Sequence, residues 1–231
     1  MSRKIKVSPA QPEVILALDV DTFKEAKHFI NKLYPKIKIF KVGIHFFTAC
    51  GPEIIEFIHK LGAQVFLDLK FFDIPNTVAS AVRVAVNLRV KMLTLHILGG
   101  QDMLKQAVIA AREEAGRLKV KRPLLIGVTV LTSKKTTSSN VLTLARVGIE
   151  SGLDGVVCSV KEIPLLRKKI KRIFVTVTPG IRPGRSGHDD QKRVATVKDA
   201  VSAGSNFLVI GRPILRAKQP LRAAEELLGD I

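Results

Sequence analysis

The sequence predicts an α/β fold, a single (β/α)8 TIM barrel, on three observations. Eight short apolar runs recur along the 231 residues; they are continuous rather than alternating, as parallel strands covered on both faces require. Between them lie segments with helix start and stop signals. Polar and charged residues of chemical interest fall at the ends of the runs, which in a barrel gather at one rim. An open doubly wound sheet uses the same alternation of elements and is the alternative. The length suits one α/β barrel, and 46% hydrophobic residues supply a sizeable core. No linker, low-complexity tract or short repeat interrupts the chain. Residues 1–231 therefore read as one catalytic barrel domain, with residues 1–12 as a basic N-terminal arm.

The first strand is expected near Val14–Val20, and Asp21-Thr22 then stand where a side-chain cap precedes a helix over Phe23–Leu33. The second strand falls near Ile37–Gly43. Gly51-Pro52-Glu53 opens a helix through Leu61, with Pro near its first turn and Gly62 just past its end. The third and fourth strands are expected near Ala63–Leu69 and Lys91–Leu95, with Asn76-Thr77 placed to cap a helix over Val78–Leu88 between them. Leu124–Val130, Gly155–Cys158, Ile173–Val177 and Phe207–Ile210 complete the eight. Before the last of these, Asp189-Asp190 stand ahead of a helix ending near Gly204, where carboxylates suit the positive end of a helix dipole.

The formal net charge of +18 raises nucleic acid or an acidic lipid surface as a partner. The cations are spread, however: Arg3-Lys4 and Lys6, Lys36 and Lys38, Lys119 to Arg122, Lys134-Lys135, and Arg167 to Arg172. One Tyr and no Trp leave no evident platform for stacked bases. The favoured reading is a solvated basic surface without a nucleic-acid partner. No apolar run approaches the roughly 18 residues that span a bilayer, so no membrane association is expected. Met1–Pro9 is basic but lacks the apolar stretch of a secretory leader. Cys50 and Cys158 stand far apart without metal-ligand spacing, and a reducing cytoplasm is the expected location.

In a barrel, chemistry sits at the C-terminal ends of the strands. Asp19 ends the first run, Lys41 the second and Asp68-Leu69-Lys70 the third; His96 ends the fourth and Thr132 follows the fifth. Asp68 and Lys70, two apart on a strand, share a face, and a carboxylate beside an ammonium keeps both ionised. A structural ion pair would account for these two alone, but Asp73 and the turn Ile74-Pro75-Asn76-Thr77 follow at once. After the seventh run comes Pro179-Gly180-Ile181-Arg182-Pro183, and after the eighth Gly211-Arg212-Pro213. Loops at these two places often form a phosphate site in barrels, and arginine forks with glycine-exposed backbone suit one.

Together these segments resemble the bacterial form of the orotidine 5′-phosphate decarboxylase family, from about Val14 to Pro213. The Asp-x-Lys-x-x-Asp string alone would also fit related sugar-phosphate decarboxylases and aldolases; Ile-Pro-Asn-Thr, Pro-Gly-Ile-Arg-Pro and Gly-Arg-Pro-Ile favour the orotidine branch. The resemblance implies decarboxylation of orotidine 5′-phosphate to uridine 5′-phosphate in pyrimidine biosynthesis, with no cofactor and no metal. It implies a catalytic array of Asp68, Lys70 and Asp73, with Lys70 as proton donor. It assigns Asp19 and Lys41 to the ribose hydroxyls and Thr132 to the pyrimidine. Arg182, Gln191, Gly211 and Arg212 match the phosphate-gripping set. It further implies a homodimer in which Asp73 and Thr77 cross into the partner's site. His96 reads equally as a structural residue. Val197 replaces a proline common in relatives, with an effect expected at a helix start only, and the Gly184–His188 loop is variable. Two rivals stand beside this reading: a metal-using 3-keto-L-gulonate 6-phosphate decarboxylase or hexulose-phosphate synthase, and a basic barrel that binds nucleic acid.

Overall fold

Eight parallel strands close on themselves in chain order, and the closing pair, from Glu13↔Phe207 to Leu16↔Ile210, excludes the open sheet. The computed structural model describes residues 11–131, 136–184 and 194–231. In chain order the first half comprises β1 (Glu13–Ala17), α1 (Phe23–Leu33), β2 (Ile39–Gly43), α2 (Ile44–Cys50), α3 (Glu53–Lys60), β3 (Gln64–Phe71), α4 (Pro75–Asn87) and β4 (Met92–His96). The second half comprises α5 (Gly100–Leu118), β5 (Leu124–Val128), α6 (Ser138–Glu150), β6 (Gly155–Val157), α7 (Ile163–Lys169), β7 (Val175–Thr178), α8 (Val197–Ser202), β8 (Phe207–Ile210), α9 (Arg212–Leu215) and α10 (Pro220–Gly229).

The core has two layers because each strand is apolar on both faces. Ile15, Ile39, Phe66, Met92, Ile126 and Phe207 fill the barrel interior. Their strand neighbours Leu16, Phe40, Val65, Leu67, Leu93 and Leu125 point outward and join the layer shared with the helices. Two residues further along the inner face from Ile39 and Phe66 stand Lys41 and Asp68, so the interior turns from hydrocarbon to charge at the C-terminal mouth.

Local chemistry sets the helix ends. Thr22 accepts the Glu25 N–H at 3.2 Å and caps α1 as its sequence implies. Asn76 and Thr77 do not cap α4. Pro75 occupies its first turn and Ile74 its cap, because proline has no N–H to satisfy and its φ already suits a helix. A capping box of Thr196 and Asp199 starts α8, with Val197 buried at its first position, while Asp189 and Asp190 lie outside the described residues. The sequence gives no separate sign of α2, which follows β2 without a loop.

Candidate active site

The site begins with a break in the regularity of β3. Pairing with β4 passes from Leu67↔Leu93 directly to Phe71↔Leu95, so β3 carries extra residues opposite Thr94. Lys70 absorbs the irregularity with φ at +51°, a left-handed conformation that a lysine adopts at a cost of about 1–3 kcal/mol. Its backbone N–H leaves the ladder and donates to the Thr94 hydroxyl oxygen at 2.9 Å. The Thr94 hydroxyl in turn donates to Asp68 Oδ1 at 3.0 Å.

From there the charges form a chain across three strands. Lys70 Nζ donates to Asp68 Oδ1 at 2.9 Å, and Lys41 Nζ lies 3.6 Å from Asp68 Oδ2. Lys41 Nζ also donates to Asp19 Oδ1 at 3.2 Å, beyond the end of β1. Burial acts to raise the pKa of the Asp68 carboxyl, but Lys41, Lys70 and the hydrogen bonds from Lys70 and Thr94 together outweigh it and leave the pKa below the ordinary carboxylate value. The network is therefore cation–anion–cation–anion, with its central carboxylate ionised.

One cavity takes in Asp19, Lys41, Asp68 and Lys70 together with Gly180, Arg182, Gly211 and Arg212. Val128, Val157, Val177 and Val209 contribute an apolar lining that a planar ring can occupy. The loop after β7 is anchored by backbone: Arg182 N–H donates to Ala195 O at 2.9 Å, and Ala195 N–H to Gly180 O at 3.2 Å. Gly211 sits where a Cβ would lie 3.3 Å from both Ala17 Cβ and Asp19 Oδ2, so any side chain there would crowd the Asp19 carboxylate. Two guanidiniums and two glycines, on the loops after β7 and β8, line a mouth that also carries the ammonium groups and suit it to gripping an anion.

The sequence-expected residues divide by place. Asp19, Lys41, Asp68, Lys70, Arg182, Gly211 and Arg212 are brought together in this cavity. Asp73 and Thr77 are exposed and do not line it; Asp73 Oδ1 accepts the Ile74 N–H at 2.6 Å. Thr132 and Gln191 lie outside the described residues, although Leu131 lines the cavity beside the former. His96 ends β4 but faces elsewhere, its ring 5.5 Å from that of Phe72 and its side chain in a separate hollow with Thr136 and Asn140. Thr94 is the functional neighbour that sequence reasoning missed. A threonine within the run Lys91–Leu95 is ordinary strand composition, and the only available signal is its place two residues before the strand end.

These features define a class: an α/β-barrel whose C-terminal mouth holds an alternating chain of carboxylates and ammonium groups in one cavity with two loop arginines. Comparison narrows it. A model of the orotidine 5′-phosphate decarboxylase / HUMPS family matches residues 12–227. A protein of Saccharophagus degradans named orotidine 5′-phosphate decarboxylase is 43% identical over 231 residues, 95% of this chain and 95% of its own. A protein of Geobacter metallireducens with the same name is 44% identical, covering 96% of this chain and 97% of its own. The crystal structure of orotidine 5′-phosphate decarboxylase from Lactobacillus acidophilus superposes with a TM-score of 0.82 at 35% identity, covering 95% of this chain and 98% of that one. The chain belongs to the orotidine 5′-phosphate decarboxylase / HUMPS family.

Proposed function

We propose that this chain converts orotidine 5′-phosphate to uridine 5′-phosphate in pyrimidine biosynthesis, and that Lys70 supplies the proton that replaces the lost carboxylate. Family membership, and 43% identity along nearly the whole chain to a relative bearing that name, support the activity. The observation that carries the chemistry is the Lys70 ammonium, held 2.9 Å from Asp68 Oδ1 in the mouth of the barrel.

Breaking the bond from C6 to the carboxylate leaves an electron pair in the plane of the uracil ring, where the π system cannot accept it. A fixed positive charge aimed at that pair is the remaining source of stabilisation, and it acts strongly in a mouth walled by valines. Carbon dioxide departs, an Nζ proton of Lys70 passes to C6, and the neutral amine regains a proton from solvent. The ionised Asp68 holds Lys41 and Lys70 in place through ion pairs at 3.6 and 2.9 Å. Arg182, Gly211, Arg212 and Gln191 take the phosphate, Asp19 and Lys41 the ribose hydroxyls, and Thr132 the pyrimidine. Phosphate binding, remote from C6, contributes energy that assembles the reacting geometry.

In the same reading two chains build each site. The exposed Phe72 and Ile74 flank Asp73, and the exposed Leu98 lies in the loop after β4, so the segment carrying Asp73 and Thr77 presents apolar surface suited to a second copy. Asp73 from that copy would then add a carboxylate beside Lys70. The same reading puts the enzyme in the cytoplasm, where a reducing milieu suits the free Cys50 and Cys158. The activity test is the fall in ultraviolet absorbance as orotidine 5′-phosphate is consumed in the presence of chelator. Turnover that ceases with chelator, or turnover only of a keto-sugar phosphate, would overturn the proposal in favour of the sugar-phosphate branch.

A further inference from the structure

The topology of the barrel collects onto one face cations that are dispersed along the chain. All eight strands are parallel, so every turn that leads from a helix into a strand emerges at the N-terminal end, opposite the mouth that holds Asp68 and Lys70. Lys36 and Lys38 lie in the turn into β2, Lys60 before β3 and Arg89 before β4. Lys119 and Lys121 precede β5, and Lys168, Lys169, Lys171 and Arg172 precede β7. All are exposed. Lys36 pairs with Glu225 at 3.3 Å, while the other lysines in these turns form no ion pair among the described residues.

Among the described residues the carboxylates at this end are mostly engaged: Glu13 is paired with Lys91, Glu114 with Arg117, Asp154 with Arg122, Glu225 with Lys36 and Asp230 with Lys198, while Glu150 at the end of α6 is exposed without an ion pair. At the mouth, by contrast, Lys41 and Lys70 alternate with Asp19 and Asp68, and the exposed Asp21 and Asp73 add further carboxylates. His59, at the cationic end, is held below the usual histidine range by burial and by the charge of Arg89. Complementing helix dipoles explains basic residues in last helical turns, but that effect fades within one turn. Lys36, Lys38, Lys121, Lys171 and Arg172 lie beyond the helix ends.

From this placement we infer that the N-terminal face docks the phosphate backbone of a nucleic-acid duplex without reading its sequence. The face is chiefly lysine, which offers point charges to phosphates rather than the planar fork that reads bases. Among the described residues it exposes one large apolar side chain, Ile173, and no aromatic ring from the helix-to-strand turns except the half-buried Tyr34. That is too little to insert into a lipid interface or to stack unpaired bases.

The test is binding of a labelled duplex of about 24 base pairs, followed by fluorescence anisotropy over a range of salt concentrations. The combined variant Lys38→Glu, Lys121→Glu, Lys168→Glu and Lys171→Glu should lose more than about tenfold in affinity at ~50 mM salt, and its salt slope should flatten by about three to four. The matched variant Lys24→Glu, Lys105→Glu, Lys161→Glu and Lys218→Glu has the same net charge and should bind within about threefold of the wild type. Both should keep wild-type decarboxylation, which also reports folding; glutamines at the same positions serve if glutamates disturb it. Equal weakening in the two variants overturns the inference, because net charge alone would then account for binding. Failure of the wild type to bind duplex at ~50 mM salt, or a preference for vesicles of about one-quarter phosphatidylserine, overturns it as well.

Discussion

The Lys70 backbone N–H donates to the Thr94 hydroxyl oxygen at 2.9 Å, a bond from the irregular turn of one strand to the side chain of the next. It fixes the left-handed Lys70 in place, and the same hydroxyl donates onward to Asp68. Thr94 is thus a positioning residue for the lysine and carboxylate together. Thr94→Val preserves shape but removes both bonds. It should lower kcat by about ten- to a hundredfold with a smaller change in KM, and Thr94→Ser should restore most of the loss. A valine variant with unchanged kcat would separate the bulge from catalysis.

Arg212 lines the same cavity as Lys41 and Lys70. Arg212→Ala should reduce kcat/KM for orotidine 5′-phosphate by about a hundredfold, since a forked, charge-assisted contact is lost. A substrate truncated to lack the phosphate should scarcely register the change. Equal losses with both substrates would remove Arg212 from the phosphate.

The proposed sharing of each site between two chains is open to a complementation test. Lys70→Ala chains retain Asp73, and Asp73→Ala chains retain Lys70. After exchange, about half the dimers should be hybrids, each with one site that joins an intact Lys70 to an intact Asp73. Activity should then recover to about a quarter of the wild type, with exchange verified by mass spectrometry of differently tagged chains. Exchange without recovery would assign both residues to one chain's site.

Glu114 gives the barrel a defined acid sensitivity. Hydrogen bonds from Arg117 and then from Asn87, on the neighbouring α4, hold its pKa down to about 2 from the ordinary 4.5. A carboxyl whose folded pKa is depressed contributes stability above its unfolded pKa and loses it as pH falls through the folded one. The wild type should therefore lose stability over Glu114→Gln between about pH 4.5 and about pH 2, read as a narrowing gap in thermal midpoint. A gap constant over that range would contradict the assignment.

Much of the fold was legible because both faces of each strand are buried. Ile15 points into the barrel and Leu16 outward, so β1 reads as an uninterrupted apolar run. The cap of α1 was legible at Thr22, while Asn76 and Thr77 misled because Pro75, just before them, has the stronger claim on a first turn. The helix α2 was hidden because Ile44, Phe46 and Phe47 continue the apolar character of β2. At the site, residue types announced Asp68, Lys70, Arg182 and Arg212. The left-handed turn at Lys70 was not legible, since no glycine marks it, and it depends on the Thr94 hydroxyl supplied by another strand. The basic face was illegible for a related reason: only the closed barrel brings Lys38, Lys121 and Lys171 to one end.

The central claim, that Lys70 protonates C6, is tested most directly by single-turnover decarboxylation with Lys70→Ala beside equilibrium binding of uridine 5′-phosphate. The charged array accounts for the reaction if turnover falls by more than about a thousandfold while the product nucleotide still binds within about tenfold of the wild type. A variant that keeps more than about a tenth of wild-type kcat would contradict it.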